Sequence, residues 1–187
     1  LENATIASIE NRDYTGSEIK PTPAVTVTLV SGGSATTLTS GTHFTYSYSS
    51  NTNVGTATIT ITAKDNTNYT GTKSTTFTIS NATMTVSKTD YTGTYDGKAH
   101  TGSVTVTKPA SGATIKYGTT SGTYNLTTAP TYTDAGTYTV YYQVTATGYT
   151  AATGSFTVKI NKFDLANATI ANVTAQAYTG SAITPTP

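Results

Sequence analysis

The sequence predicts an all-β chain: two tandem antiparallel β-sandwiches, then the opening strand segment of a third repeat. Three observations predict it. Residues 165–187 repeat residues 1–23 without a gap at an offset of 164, with fourteen of the twenty-three positions identical. Self-similarity of this kind marks a repeat architecture and takes precedence over local readings. Threonine supplies 49 of the 187 residues, beside fourteen Tyr and no Trp. β-Branched and aromatic side chains suit a pleated, half-buried surface. Finally, apolar residues recur at period two across many segments, and no stretch has helical periodicity. That alternation favours strands over the disorder a polar, Thr-rich chain would otherwise suggest.

The repeat predicts domains at 1–80 and 81–162, and the start of a third at 163–187. In the first, residues 4–9 read as a short strand ending in a turn at Asp13-Tyr14-Thr15-Gly16. Pro21 and Pro23 interrupt pairing and suit an edge or a crossing between sheets. Val25, Val27 and Leu29 alternate with Thr26 and Thr28, and Ser31-Gly32-Gly33-Ser34 is a hairpin turn. Phe44, Tyr46 and Tyr48 form the next strand. Ala57, Ile59 and Ile61, between Thr56, Thr58, Thr60 and Thr62, form the clearest one. Phe77 and Ile79 close the domain. The second domain follows the same plan, with Met84 and Val86, a turn at Tyr95-Asp96-Gly97, Val104 and Val106, then Ile115 and Tyr117. After a longer loop over 119–130 come the alternating Tyr138, Val140, Tyr142 and Val144, and finally Phe156, Val158 and Ile160. About seven short strands per 80 residues read as a small sandwich. The junctions are short and lack Gly/Ser tracts, which predicts limited bending between domains.

Charged residues are 10% of the chain and the net charge is +1. Electrostatics therefore give no case for nucleic acid or an acidic membrane surface as partner. The absence of cysteine excludes disulfides and thiolate metal sites. No apolar run is long enough to span a bilayer as a helix, and neither a signal peptide nor an initiating Met is present. The expectation is a window on a longer tandem array.

Two motifs carry a family resemblance. Asp134-Ala135-Gly136-Thr137-Tyr138 resembles the tyrosine-corner segment of immunoglobulin-like domains, in which the Tyr hydroxyl bonds back to nearby backbone. Asn53-Val54-Gly55-Thr56-Ala57, the equivalent stretch of the first repeat, keeps the turn and lacks the Tyr. The second pattern is Gly41-Thr42-His43-Phe44-Thr45-Tyr46, then Asn53 to Ile61, Asn68-Tyr69-Thr70-Gly71 and Phe77-Thr78-Ile79. It resembles the bacterial Ig-like repeats of large cell-surface proteins of the Gram-positive type, which usually carry Gly-Thr-Asp-Tyr where this chain has Gly41-Thr42-His43-Phe44. The second repeat, with Pro130 to Tyr138 and Gly148-Tyr149-Thr150, is similar to the MBG-type Ig-like repeats. The resemblance implies two Ig-like sandwiches, a structural tyrosine corner at Asp134, Gly136 and Tyr138, and an extracellular position on a bacterial cell surface. The step from fold to role is analogy.

Candidate chemistry is sparse. His43 and His100 lie in different repeats without a ligand or triad set beside them. No nucleophile elbow, zinc-protease motif or phosphate loop occurs, so the expectation is not an enzyme, with no catalytic residue, cofactor or metal. Asp65, Asn66, Asn68 and Asp134 offer oxygens, but calcium wants six to eight, several of them carboxylate, and turn chemistry explains these residues more simply. Some sandwich domains of the Gram-positive type join a first-strand Lys to a last-strand Asn beside a buried acid. Here Lys88, Asn161 and Asp134 are the candidates for such an isopeptide, against the plainer reading of an exposed Lys and a junction Asn. The threonine row at 56, 58, 60 and 62 raises ice binding, which sheet twist disfavours. Six Asn-x-Ser/Thr sequons arise readily from this composition.

The expected function is structural: a repeat segment of a long extracellular fibre, stalk or adhesin, acting as a mechanical spacer. From strand lengths, each sandwich would add about 35–40 Å once loops and tilt are included. The expected partners are neighbouring repeats of the same chain or other copies of itself. The alternative is a module that binds a surface glycan or protein, with no nucleic acid and no membrane insertion. A variant is a fibre subunit assembled by strand addition through 165–187, with Leu165, Ile170, Val173, Tyr178 and Ile183 as the inter-domain or inter-subunit residues.

Overall fold

The computed structural model describes residues 1–65 and 67–184, and the chain is all-β and sandwich-like. Asn66, and the Pro185-Thr186-Pro187 end of the repeated stretch, lie outside the described residues.

In the first repeat the opening segment splits between two sheets. Strand β1 (Thr5–Ile6) pairs antiparallel with β3 (Val25–Thr28), which pairs with β4 (Ala35–Leu38). Six residues later, β2 (Arg12–Asp13) lies parallel to β7 (Thr72–Ser80), in the sheet ordered β2-β7-β6-β5 with β6 (Gly55–Ala63) and β5 (Phe44–Ser49). Alternation sets the faces. Ala57, Ile59 and Ile61 of β6 are fully buried, and the threonines between them turn outward. Val25 and Leu38 from one sheet meet Phe44 and Ile61 from the other in one cluster with Ala4. A second cluster joins Ala57, Ile59, Phe77 and Ile79, with Ile9, Tyr14 and Ile19 packed against it. Each buried Ile or Phe contributes about 1.5–3 kcal/mol.

The second repeat repeats the plan. Its strands are β8 (Thr85–Thr89), β9 (Tyr91–Thr94), β10 (Ser103–Lys108), β11 (Thr114–Gly118), β12 (Gly136–Thr145) and β13 (Ala152–Asn161). The sheet orders are β10-β8 and β11-β12-β13-β9. Strand β9 runs parallel to β13, from Tyr91↔Val158 to Thr94↔Asn161, as β2 does to β7. No counterpart of β4 stands between β10 and β11.

Two expectations need correction. The pairing is not wholly antiparallel, because each opening segment crosses from one sheet to the other and arrives alongside the last strand. The predicted strand over 4–9 shrinks to Thr5–Ile6 for the same reason, and β2, β4 and β9 were not anticipated. By compactness the chain divides into two units. One unit comprises Leu1–Ser87, Val104–Lys116 and Tyr142–Gly154, and the other Lys88–Ser103, Tyr117–Tyr141 and Ser155–Pro187.

Within the first unit, the Tyr14 ring meets Tyr149 edge-on at 5.9 Å, and Ala82 exchanges backbone hydrogen bonds with Gly148 and Thr150 at 2.9 and 3.0 Å. These contacts hold the segment 148–150 against Tyr14 and Ala82. Within the second unit, Val140, Phe156, Val158 and Ile160 are buried, and Tyr117 sits edge-on to Phe156 at 6.4 Å.

Residues 165–184 carry the opening sequence but form no strand. A 3₁₀ turn over Leu165–Asn167 is capped by Asp164, whose Oδ1 accepts the Ala166 N–H at 2.9 Å, and no helix or strand follows among the described residues. In the first repeat the same residues pair with β3 and β7; among the described residues no such partners meet 165–184.

Two stability predictions follow from the packing. Ile59→Ala should cost about 2–5 kcal/mol in denaturant unfolding, against roughly 0.5 kcal/mol or less for the outward Thr60→Ala. Gly148→Ala should lower Tm, because Gly148 has φ +76° and an added Cβ would stand 2.2 Å from Tyr14. An unchanged Tm would refute that contact.

Candidate functional site

The opening segment is the most elaborately held part of the first repeat. The Ala7 N–H donates to the Ala24 carbonyl at 2.9 Å, the Tyr14 N–H to Ser80 at 2.9 Å and the Ile19 N–H to Asn51 at 2.8 Å. The Asn51 side chain, buried at 6% exposure, returns a bond from Nδ2 to the Ile19 carbonyl at 3.2 Å. Asn51 follows Ser50, which takes a left-handed φ of 54°, a conformation costly for residues other than glycine. Tyr48 Oη donates to the Pro21 carbonyl at 2.9 Å, and Tyr46 Oη to that of Pro23. Proline has no N–H to offer a ladder, so the two phenols hold its carbonyls instead. Burial pushes both tyrosines above the ordinary phenol pKa, with Tyr48 adding to the rise of Tyr46.

Leu165, Ile170, Val173, Tyr178 and Ile183, the residues expected at an interface, are all exposed, Tyr178 to 90%. Their counterparts Leu1, Ile6, Ile9, Tyr14 and Ile19 are all half-buried. A triplet missed in the sequence marks each opening: Asn-Ala-Thr at 3–5, 81–83 and 167–169. Ala4 and Ala82 are buried and Ala168 is exposed.

In the second repeat, Tyr138 Oη donates to the Asp134 carbonyl at 3.2 Å. The Tyr138 ring stacks on Tyr132 at 3.9 Å. Gly136 leaves room for this, since a Cβ there would lie 2.9 Å from the hydroxyl. Each residue expected for an isopeptide stands in its own local setting. Lys88 Nζ is held by both oxygens of Asp90 at 2.8 and 2.7 Å, Asn161 is exposed beside Thr94, and Asp134 is exposed in its turn. The Lys88 ammonium, then the Thr157 N–H at 2.7 Å, hold the Asp90 carboxyl below the ordinary range. Sequence reading missed this partner, although Lys88 and Asp90 are two residues apart.

Both histidines serve local structure. His43 Nδ1 accepts the Thr39 N–H at 2.8 Å, and its ring meets Tyr69 edge-on. His100 stacks on Tyr91 at 4.3 Å and binds Asp96 Oδ1 through Nε2 at 2.8 Å. His100, then the Lys98 N–H, hold the Asp96 carboxyl below its ordinary value. Of the oxygens considered for calcium, Asp65 and Asn68 are exposed, and Asn66 lies outside the described residues. Among the described residues no group of three His, Asp or Glu is placed to hold a metal.

Two surfaces stand out. The outward side of β5, β6 and β7 is hydroxyl throughout, in ranks such as Thr45–Thr62–Thr72 and Ser47–Thr60–Ser74. In the second unit an open cavity of about 710 Å³ is lined by Tyr95, Asp96, Asp134, Lys162, Phe163 and Leu165, among others. The Tyr95 N–H donates to the Asn161 carbonyl at 2.8 Å, as Tyr14 does to Ser80. A scan of protein-family models and a search of curated proteins found nothing that matches this chain.

The Asp96 contact has a definite pH sign. A lowered folded pKa stabilises the fold above the ordinary carboxylate range, and the contribution disappears as pH falls through the lowered value. His100→Ala should move the NMR titration midpoint of Asp96 upward; no movement would place the cause elsewhere. Tyr138→Phe should cost about 0.5–1.5 kcal/mol by losing one hydrogen bond.

Proposed function

We propose that the chain is a structural repeat segment of a long extracellular fibre, stalk or adhesin of a bacterial cell surface. Its Ig-like repeats act as mechanical spacers. The observation that carries this reading is the parallel pairing of the second strand of each repeat with its last, β2 with β7 and β9 with β13. Tension on a repeat pulls its opening segment backward and its last strand forward. Between parallel neighbours, those forces slide one strand along the other, so the rungs are loaded together. In a hairpin pulled from its open end, the rungs would break one after another. The four register pairs of β9 and β13 exceed the two of β2 and β7, so the second repeat is the stronger element. The hydroxyl face suits a surface that stays hydrated without presenting an aggregating edge.

Single-molecule stretching of the 187-residue chain tests the proposal. Two unfolding events are expected, each lengthening the chain by roughly 220–250 Å, the extended length of about 80 residues less the span of the folded sandwich. Gly93→Pro takes an N–H out of β9 and should lower the force of the second repeat's event while sparing the first. Extension without resisted events, or an unchanged force in the Gly93→Pro chain, would remove the mechanical reading.

A further inference from the structure

We infer that residues 165–184 are a groove-filling segment whose occupied site is the body of a repeat-one fold: a second copy of residues 24–80 of this chain. This rests on the reading of the chain as a repeat segment and adds the surface, the register and the residues of contact.

The pattern of differences between the two stretches carries the inference. Residues 165–187 differ from 1–23 at nine positions. Eight of the nine are exposed in the first repeat, and the ninth replaces half-buried Ile9 by Val173. Every other buried or half-buried position of 1–23 keeps its residue. The side that meets β3, β5 and β7 is therefore retained and the solvent side has drifted. All six charged residues of 1–23 are uncharged in 165–187, so solvation does little to oppose burial. Composition alone would scatter the differences over both sides.

The first repeat specifies what the contacts are. Ile6 pairs with Val25 and Thr5 with Thr26, which places Ile170 opposite the second copy's Val25 and Thr169 opposite its Thr26. Tyr14 and Ile19 pack on the cluster of Ala57, Ile59, Phe77 and Ile79, and Asn51 brackets Ile19 with two hydrogen bonds. Tyr178 and Ile183 take those two places. Leu165 lines the open cavity beside Tyr95 and Phe163, so the seated segment starts at that end of the second unit. The groove must be one without its own opening segment: displacing residues 1–20 would expose as much apolar surface as it buried.

The test extends the full chain after Pro187 with a second copy of residues 24–80. Hydrogen exchange or limited proteolysis should show the appended copy protected, and the Tyr178 ring should become buried. Ile170→Asp with Ile183→Asp should lower that protection by at least about tenfold, since each places an unpaired carboxylate in an apolar site, and leave the first repeat unchanged. The chain has no cysteine. T169C with T26C in the appended copy should therefore cross-link on mild oxidation, because paired strands hold opposed Cα atoms about 4.5–5.5 Å apart. An unprotected appended copy overturns the inference. So does one whose protection survives both aspartates, or one that is protected yet does not cross-link. The stretching experiment uses the unextended chain, so the spacer reading and this inference can fail separately.

Discussion

The crossing of the opening segment from one sheet to the other is the constraint on which both repeats depend. A sandwich needs its two sheets held face to face, and a segment belonging to both ties them covalently. In the first repeat the tie runs from Ile6 in β1 to Arg12 in β2. Backbone pairing along it is meagre, two residues in each strand, so side chains complete the attachment. Asn51 brackets Ile19, and Tyr46 and Tyr48 reach the carbonyls of two prolines. A buried amide whose donor and neighbouring carbonyl both find partners avoids the cost of an unsatisfied polar group.

The same crossing brings the second strand beside the last and parallel to it, and the geometry of load follows from that. The two repeats spend their residues differently within this plan. The first has seven strands and lets phenols hold its opening segment. The second lacks a counterpart of β4 but lengthens the parallel ladder of β9 on β13 and stacks its aromatic side chains: Tyr132 on Tyr138 and Tyr91 on His100. Its carboxylates work locally too, as Asp90 and Asp96 each accept a backbone N–H as well as a cationic or imidazole partner. None of these exposed pairs adds much stability by charge alone. Their use is to fix turns and strand ends in a chain with few charges.

Most of the fold was legible before the structure. Period-two alternation located β3, β5, β6, β10, β12 and β13, because a half-buried strand must alternate. The strands it missed are the short ones. Arg12–Asp13 is wholly exposed, and Ala35–Leu38 buries Leu38 alone; neither leaves an apolar rhythm to read. The Tyr138 contact is short in sequence, its hydroxyl donating to the Asp134 carbonyl four residues upstream. The partners of Lys88 and His100 are Asp90 and Asp96, two and four residues away.

By itself the sequence determined the all-β class and the recurrence of the opening segment at 165, since these rest on composition, alternation and identity between stretches of one chain. Only the tertiary structure decided that the opening segment crosses sheets and ends parallel to the last strand. It also decided which side of that segment meets its neighbours. The reason is physical: a strand's sequence records which face is buried but carries no record of the direction of its neighbour. That direction is set when β3, β5 and β7 come together around the segment. Residues 165–184 show the same rule from the other side, with the same inward residues save Val173 for Ile9 and no strand in the absence of those partners.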